Sequence, residues 1–367
     1  MKLSETGLTA EELKGLVKKY MIETYERFDF IAETAKDMYI YDEKGNAYLD
    51  FYAGIAVNSA GNCNEKVVKA IQSQAADLIH TFNYPYTIPQ ALLAKKICDT
   101  IGMDKIYYQN SGTEANEAMI KLARKYGVDK YGPEKYEIVT AKMGFHGRSF
   151  GSMSATGQPD SAIQQGFGPM TPGFKYAEYN NLKAFEDAIT DKTIAIMIEP
   201  VQGEGGVHPA TKEFMTGLRK LCDEKDILLI FDEVQCGMGR CGALYAHDLY
   251  GVKPDVMALA KALGCGVPVG AFVTNEKASH ALIPGDHGTT YGGNPFATAA
   301  VCEVFRQFEE KDIVAHVNEV GRYLYEKLEE VKNQFAAVKD HRGVGLMQGL
   351  EFEGPVGDMI VTALKKG

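Results

Sequence analysis

The sequence predicts an α/β protein built on a mostly parallel sheet with helices on both faces. From Lys105 onward, short apolar runs of strand length alternate with stretches of helical spacing, which is typical of parallel strands joined by helical crossovers. Two of the runs also end on reactive side chains, Ile227–Phe231 on Asp232-Glu233 and Val256–Ala260 on Lys261. Open α/β sheets build their sites at such strand ends. The acid and the amine therefore indicate either a structural ion pair or a functional site at these strand ends.

The composition narrows the class of protein. The 367 residues suffice for a large core and two domains. A formal charge of −10 argues against a broad surface for nucleic acid or anionic membrane. Seven dispersed cysteines without a CxxC pair argue against a disulfide framework and structural zinc. Because no apolar run is long enough to cross a bilayer and the N-terminus lacks a signal core, we expect a cytoplasmic protein without membrane partners.

The N-terminal part predicts a helix and a hairpin before the sheet begins. Glu11–Glu23 has helical spacing, and a Gly-containing turn separates two strand-like runs, Met38–Tyr41 and Tyr48–Phe51. Two further helices are predicted at Asn64–Leu78 and Gln90–Thr100.

Six apolar runs predict the strands of the sheet: Ile106–Gln109, Tyr136–Ala141, Ile194–Glu199, Ile227–Asp232, Asp255–Ala260 and Gly270–Thr274. Helices are predicted between several of them, at Glu114–Tyr126, Leu182–Ile189 and Lys212–Glu224. After Pro295 the chain becomes helical, and one apolar face is marked by Val317, Val320, Leu324, Leu328 and Val331.

The segment from Ser111 to Glu114 joins a predicted strand to a predicted helix, and two interpretations explain it. It can be a capping box, with Ser111 as N-cap and Glu114 closing the box. It can equally be a phosphate cup, since free amides at a helix start favour an anion, Gly112 permits close approach and the hydroxyls add donors. The residues alone leave both open.

Two Gly-rich loops at other strand ends carry candidate ligand-binding side chains. Phe145 could stack on a planar ring and Arg148 could clamp a carboxylate, although single Phe and Arg residues are more often core and solvated. His146 suits a structural or ring-flanking role better than a catalytic one. Of Glu199 and Glu204, we expect one to anchor its loop and the other to pair with a cation in the site.

The segment Gly237–Gly242 matches G-x-G-x-x-G and offers a different enzyme class. A dinucleotide fingerprint should open a helix directly and be followed by an acid at the end of the next strand. Here the next strand ends on Lys261 instead, so a nucleotide-dependent oxidoreductase is the remote alternative. The polar segment 287–295 can be a turn cluster, or Thr289 and Thr290 can complete a phosphate site.

Several separated stretches together resemble the class III pyridoxal-phosphate aminotransferases of the ornithine and acetylornithine type. They are SGTEANEAMIKLARK, FHGRSFGSMSATGQ, EPVQGEGG, the segment from DEVQ to Lys261, GVPVGA and TTYGGNP, in the family's order. The resemblance implies fold type I, the aspartate-aminotransferase-like fold, a homodimer with shared active sites, and pyridoxal 5'-phosphate as cofactor. It further implies a large cofactor-binding domain at 56–297, with 1–55 and an incomplete segment 298–367 forming a smaller α+β domain.

The resemblance assigns roles residue by residue. It implies two catalytic residues, Asp232 at the pyridine nitrogen and Lys261 as the Schiff-base lysine. Other cofactor contacts would come from Ser111, Gly112, Thr113, Phe145, Glu233, Val234 and Gln235, with Thr290 reaching the phosphate from the neighbouring subunit. Substrate contacts would come from Arg148, Thr289 and Glu204, the last as a gating glutamate.

Two of these stretches, FHGRSFGSMSATGQ and PDVMALAKALGCGVPVGA, are most similar to the acetylornithine type. The implied reaction is transamination of N2-acetyl-L-ornithine with 2-oxoglutarate to N-acetyl-L-glutamate 5-semialdehyde and L-glutamate, in arginine biosynthesis. Alternative donors within the family are ornithine, succinylornithine, succinyldiaminopimelate and 4-aminobutyrate.

Two departures from the family pattern concern the substrate. Gly54 stands where ornithine enzymes carry a Tyr that holds the α-amino group, which favours an acylated donor. The family's IRxxPP-like segment, whose Arg binds a substrate carboxylate, does not occur before Gly367. We therefore expect further residues to follow this sequence.

Overall fold

The computed structural model describes residues 1–366. Its strands are β1 (Ala32–Lys36), β2 (Tyr39–Asp42), β3 (Ala47–Leu49), β4 (Lys105–Gln109), β5 (Glu137–Ala141), β6 (Phe174–Ala177), β7 (Thr193–Ile198), β8 (Val201–Gln202), β9 (His208–Pro209), β10 (Leu228–Asp232), β11 (Val256–Leu259), β12 (Gly270–Thr274), β13 (Val338–Val344) and β14 (Met347–Phe352). Its helices are α1 (Ala10–Tyr20), α2 (Ala53–Ala56), α3 (Glu65–Asp77), α4 (Ile88–Ile101), α5 (Gly112–Tyr131), α6 (Phe150–Ala155), α7 (Leu182–Ala188), α8 (Lys212–Lys225), α9 (Pro295–Glu310), α10 (Ile313–Gln334) and α11 (Gly357–Leu364).

Seven strands form the central sheet in the spatial order β4-β12-β11-β10-β7-β5-β6. Neighbouring strands are parallel from β11 through β10, β7 and β5 to β6. Strand β12 runs antiparallel to both β11 and β4. The predicted mostly parallel sheet is confirmed, and every residue of β7 and β10 is buried, as expected when helices cover both faces.

Alternate residues of β10 show how the two faces are filled. Leu229 and Phe231 join a core cluster that includes side chains of α4, α8 and α9. Leu228 and Ile230 join a second cluster built mainly on α5. Because successive side chains of a strand point to opposite faces, one apolar run supplies both cores.

The predicted elements are present, with ends that shift by a few residues. The first helix, for example, ends at Tyr20 because Met21 is extended. The sequence does not predict β1, β6, β8, β9, β13, β14, α2, α6 or α11. These elements are short or interrupted by polar residues and glycine, as in the β13 sequence VKDHRGV, so they lack a clear apolar period.

Three small sheets stand apart from the central one. They are the meander β1-β2-β3, the hairpin β13-β14 and the short pair β8-β9. Helix α9, which crosses the predicted boundary at 297/298, contributes to the large core. The domain boundaries stay a prediction, and Gly367 lies outside the described residues. Within residues 1–366, no helix combines the length and apolarity needed to cross a bilayer.

Candidate active site

A cavity of about 240 Å³ lies at the carboxyl ends of β5, β7 and β10. Eight of the predicted site residues line it: Gly112, Thr113, Phe145, Arg148, Asp232, Val234, Gln235 and Lys261. His146 lines it as well, together with Asn116, Gly147 and Glu199. The structure therefore brings the acid of β10 and the lysine that follows β11 into one site.

Asp232 is a buried carboxylate held by three donors. Its Oδ2 accepts hydrogen bonds from Asn116 Nδ2 at 2.7 Å and His146 Nδ1 at 2.8 Å. Its Oδ1 accepts from the Val234 amide at 3.0 Å. A buried carboxylate is tolerated when hydrogen bonds replace its hydration. Asp232 is thus paired with these donors. It does not form the structural ion pair with Lys261 that the sequence left open.

His146 and Asn116 form the support behind Asp232. Asn116 Nδ2 also donates to the His146 carbonyl at 2.6 Å, so one amide ties α5 to the loop and to Asp232. Burial by itself lowers the pKa of His146, but the hydrogen bond and charge of Asp232 outweigh it and the net pKa lies above the ordinary value. The structural role predicted for His146 agrees with this geometry. Asn116 is a site residue that the sequence analysis missed.

At the start of α5, Ser111 is the predicted N-cap, but Glu114 bonds to the residue before it, so the predicted capping box is not formed and the phosphate cup stays a prediction. Ser111 Oγ caps the helix by accepting from the Glu114 amide at 3.3 Å, and Glu114 Oε2 accepts from the Asn110 amide at 2.9 Å. The helix start also faces the cavity, where a Cβ on Gly112 would lie 2.6 Å from Val234 Cγ1. Glycine is therefore required here, and the helix dipole is available to an anion.

A group of hydroxyls lies beside this helix start. Thr113 Oγ1 is 2.7 Å from Ser152 Oγ and 3.1 Å from Ser149 Oγ. Ser149 precedes α6, but its side chain accepts no hydrogen bond from an amide of that helix. A Cβ on Gly147 would come within 2.4 Å of Thr113 Oγ1, so the loop approaches closely only because that residue is glycine. Ser149 and Ser152 lie within the stretch FHGRSFGSMSATGQ, but the sequence analysis assigned no role to either.

Glu199 anchors two loops at once. Its Oε1 accepts from the Phe145 amide at 2.8 Å and its Oε2 from the Gly203 amide at 3.0 Å. Burial raises the pKa of the Glu199 carboxyl to about 7. Glu204 lies at the rim, where its Oε1 accepts from Gln235 Nε2 at 3.2 Å. The prediction that one of the two carboxylates anchors its loop is confirmed for Glu199, and the cation partner of Glu204 stays a prediction.

Glu233 points away from the cavity, which corrects its predicted role as a cofactor contact. Its carboxylate accepts from the amides of Ala246 and His247 at 2.6 and 2.8 Å, and from His247 Nδ1 at 2.8 Å. Neighbouring side chains of an extended segment point to opposite sides, so the residue after Asp232 cannot share its direction. Glu233 fixes the segment that follows the glycine-rich loop.

Lys261 has a left-handed backbone, with φ of 44°, at the start of a short 3-10 helix, Lys261–Leu263. Non-glycine residues occupy this region at a cost of roughly 1–3 kcal/mol, often at functional sites. Helix α2 is likewise a left-handed turn, with φ between 47° and 64° from Ala53 through Gly54 to Ala56. The two elements are in contact, and Ser59 Oγ donates to the Ala262 carbonyl at 2.8 Å.

The remaining predicted residues lie at the edge of the site. The guanidinium carbon of Arg148 lies 5.3 Å from the centre of the Phe145 ring, and Arg148 is exposed. Thr289 Oγ1 accepts from the Gly292 amide at 3.0 Å, and Thr290 is exposed. Neither threonine lines the cavity of this single chain.

The cavity residues suit pyridoxal phosphate. They combine a carboxylate for the ring nitrogen, an aromatic ring, a lysine and a helix start for the phosphate. Two buried polar atoms at the cavity, Asn116 Oδ1 and His146 Nε2, have no hydrogen-bond partner within residues 1–366. Such atoms remain available to a bound molecule.

The glycine-rich loop 237–242 does not have the geometry of a dinucleotide site. No helix opens within it, and the next helical turn begins only at Ala246. Its glycines serve packing, because a Cβ on Gly239 would lie 2.7 Å from Phe308 Cε1 and Gly242 presents its carbonyl to Asn318 Nδ2 at 2.7 Å. The structure argues against the oxidoreductase alternative.

Comparisons with known proteins agree with this site. The family model "Aminotransferase class-III" matches residues 20–367. Acetylornithine aminotransferase of Methanocaldococcus jannaschii is 49% identical over 360 residues, which cover 98% of this chain and 90% of that protein. The corresponding protein of Caldanaerobacter subterraneus subsp. tengcongensis is 46% identical over 351 residues, covering 95% and 88%. The crystal structure of ornithine aminotransferase from Toxoplasma gondii ME49 matches with a TM-score of 0.90 at 30% identity, covering 95% and 84%.

We expect the replacement Glu199→Gln to change how stability depends on pH. Because burial raises the pKa of Glu199 in the folded chain, the folded state holds a proton that the unfolded chain has already released. As the pH rises from about 5 to about 8, the unfolding free energy of the wild type should therefore fall relative to that of Glu199→Gln. The loss of one acceptor in Gln adds an offset that does not depend on pH.

Urea unfolding of the cofactor-free proteins across this pH range measures the effect. Glu178→Gln, which removes an exposed carboxylate, is the matched control. A difference between wild type and Glu199→Gln that stays constant with pH would contradict a raised pKa for Glu199.

Proposed function

The chain belongs to the class-III aminotransferases, and we propose that it transfers the terminal amino group of N2-acetyl-L-ornithine to 2-oxoglutarate. The products are N-acetyl-L-glutamate 5-semialdehyde and L-glutamate, and the reaction is a step of arginine biosynthesis. The donor is supported by acetylornithine aminotransferases that are 44–49% identical to most of this chain. The observation that carries the chemistry is the presence of Asp232 and Lys261 in one cavity.

When bound, pyridoxal 5'-phosphate supplies an aldehyde that bonds to amines and a protonated pyridine ring that accepts electrons. Asp232 would favour a protonated ring nitrogen, because its carboxylate places a negative charge at the cavity. Asn116 and His146 orient that carboxylate through the bonds to Oδ2. Phe145 would stack on the ring, and Val234 and Gln235 would border it. This assignment is supported by their common position in the cavity lining.

Lys261 Nζ would be the amine that holds the cofactor through its aldehyde. Once free, the same amine would supply the base that accepts the proton from the substrate carbon bearing the amino group. The left-handed φ of 44° and the contact with the α2 turn support this role, since they fix the residue from which the amine extends. The second half-reaction with 2-oxoglutarate uses the same groups in reverse, so the kinetics are ping-pong.

The start of α5 would hold the phosphate. The amides of Gly112 and Thr113 and the Thr113 hydroxyl would supply donors, with Ser111 shaping the turn as N-cap. Ser149 and Ser152 extend this set through their contacts to Thr113 Oγ1. The glycine requirement at Gly112 supports the assignment, because only a residue without Cβ leaves room beside Val234.

The substrate end is built from Arg148, Glu204 and Thr289. Arg148 is an exposed guanidinium at the mouth of the cavity and suits a carboxylate. Gly54 supports an acylated donor, because it presents no side chain that could hold a free α-amino group. Ornithine is the second candidate donor, since the structure resembles that of an ornithine aminotransferase.

We further propose a homodimer in which Thr290 of each subunit completes the phosphate site of the other. Thr290 is exposed in the single chain. Large apolar side chains are exposed as well, among them Phe51, Tyr52, Ile55, Phe82, Tyr84, Tyr86, Phe150 and Tyr291. Exposed apolar area of this kind is typical of protein interfaces. The free, dispersed cysteines support a cytoplasmic location.

Replacing Lys261 with Ala should abolish covalent attachment of the cofactor and lower kcat by at least about 10²–10⁴. Borohydride reduction followed by peptide mass spectrometry should find the cofactor on Lys261 in the wild type and on no lysine in Lys261→Ala. Lys142→Ala, which removes an exposed lysine, is the control and should behave like the wild type. A reduced adduct on another lysine in the wild type would refute the assignment.

The donor is tested by comparing kcat/KM for N2-acetylornithine and free ornithine, with 2-oxoglutarate as acceptor. We expect a preference of about tenfold or more for the acetylated donor. Free ornithine carries an additional α-ammonium charge, which a site without a partner for that charge should reject. A preference for ornithine would refute acetylornithine as the substrate while leaving the aminotransferase chemistry intact.

Shared active sites are tested by pairing Lys261→Ala with Thr290→Glu in one heterodimer. The glutamate should repel a phosphate, so each variant alone should be inactive. If Thr290 serves the neighbouring subunit, the heterodimer contains one intact site, and its activity should exceed either single variant by about tenfold or more. Activity no higher than that of the single variants would show that Thr290 acts within its own subunit.

A further inference from the structure

Arg342 of the C-terminal hairpin reaches back to the loop that carries Glu204. Its Nε donates to the Gly206 carbonyl at 2.7 Å. Gly206 lies two residues after Glu204, whose Oε1 accepts from Gln235 Nε2 at the mouth of the cavity. One side chain thus connects β13 with the wall of the site, although no motif singled it out.

Different nitrogen atoms of the Arg342 guanidinium donate hydrogen bonds to different partners. While Nε contacts the loop, Nη1 donates to Asp340 Oδ2 at 3.1 Å and to Glu351 Oε2 at 2.6 Å. The side chain is 20% exposed. A planar guanidinium can hold a carbonyl and two carboxylates at once, whereas the single ammonium of lysine cannot reproduce that fork. The contact therefore requires arginine and not only a positive charge.

The loop from Gly203 to Val207 depends on anchors at its ends. Glycine is required within it, because a Cβ on Gly205 would lie 2.2 Å from the Met143 carbonyl, and Gly206 has φ of 113°. Glycine also leaves the backbone free to adopt other conformations. Glu199 holds the first end through the Gly203 amide at 3.0 Å. Arg342 holds the second end.

The hairpin that carries Arg342 is itself fixed by the residue before it. His341 Nδ1 lies 2.7 Å from Glu329 Oε1 of α10, and its Nε2 lies 2.9 Å from Gln348 Oε1 of β14. The imidazole therefore bridges a long helix and the second strand of the hairpin. Arg342 extends from a support that is tied to α10.

Apolar packing also joins the hairpin to the loop. Val207 of the loop and Val344 of the hairpin pack against the same buried cluster, which includes Met347. A Cβ on Gly349 of β14 would lie 3.2 Å from Val207 Cβ, so the two segments approach closely. The hydrogen bond from Arg342 thus acts on a loop whose last residue already rests on the hairpin.

We propose that Arg342 is a positioning residue for the amino donor, which holds the 203–207 loop so that Glu204 and Gln235 stay at the mouth of the cavity. The inference rests on the proposed function, in which Glu204 contacts the substrate. Arg342 acts through the loop and through the Gly206 carbonyl. Its loss should weaken donor binding more than it slows the chemistry at Lys261.

The test compares Arg342→Lys and Arg342→Gln with wild type, all as holoenzyme. Lys339→Gln is the matched control, since Lys339 lies on the same strand and pairs with Glu353 at 3.3 Å, away from the loop. Hydrogen exchange of the peptide that spans 203–207 should become about tenfold faster in both Arg342 variants, as expected for the loss of one charge-assisted hydrogen bond. The KM of the donor should rise by about tenfold, while kcat changes by less than about threefold.

Exchange and kinetics separate the possible outcomes. Unchanged exchange at 203–207 in both variants would overturn the proposal, whatever the substrate is. Faster exchange throughout the hairpin and core, with a lower kcat and an unchanged donor KM, would make Arg342 a structural residue and also overturn it. A wild type that does not use N2-acetylornithine would refute the proposed donor, and the exchange result would still decide whether Arg342 anchors the loop.

Discussion

The buried carboxylate of Asp232 is the constraint on which the rest of the site depends. A charge at the end of a central strand is stable only when donors replace its lost hydration. Asn116 of α5, His146 of the loop after β5 and the Val234 amide supply those donors. Three elements must therefore converge on one point, and this convergence also brings the start of α5 and the Phe145 loop to the cavity.

Two further carboxylates near this point act on the backbone. Glu199 accepts from amides of two different loops, and Glu233 accepts from the segment that follows the glycine-rich loop. Each carboxylate thus replaces hydrogen bonds that irregular loops cannot make for themselves. Asp232 presents its charge to the cavity, while its neighbour in sequence stabilises the opposite side of the strand end.

The same principle extends to the rim of the cavity near Glu204 and Gln235. Glycines in its loops permit close approach to backbone, as at Gly205, where a Cβ would lie 2.2 Å from the Met143 carbonyl. Their positions are set by side chains from distant segments, such as Glu199 and Arg342. The left-handed backbone at Lys261 is held in a similar way by its packing against α2. Rigid elements thus position flexible ones around the chemistry.

The mostly parallel sheet, the helix start at Gly112 and the placement of Asp232 and Lys261 at strand ends could be predicted from the residues alone. These features follow from apolar period and local motifs, which are properties of neighbouring residues. The support of Asp232 by Asn116, the direction of Glu233 and the contact of Arg342 with Gly206 are seen only in the folded chain. The partners in the first and last of these contacts are 116 and 136 residues apart in the chain. These two contacts arise from the packing of distant elements, so they leave no period or motif in the sequence. The direction of Glu233 follows from the alternation of side chains after Asp232, but its partners at Ala246 and His247 are brought to it only by the fold.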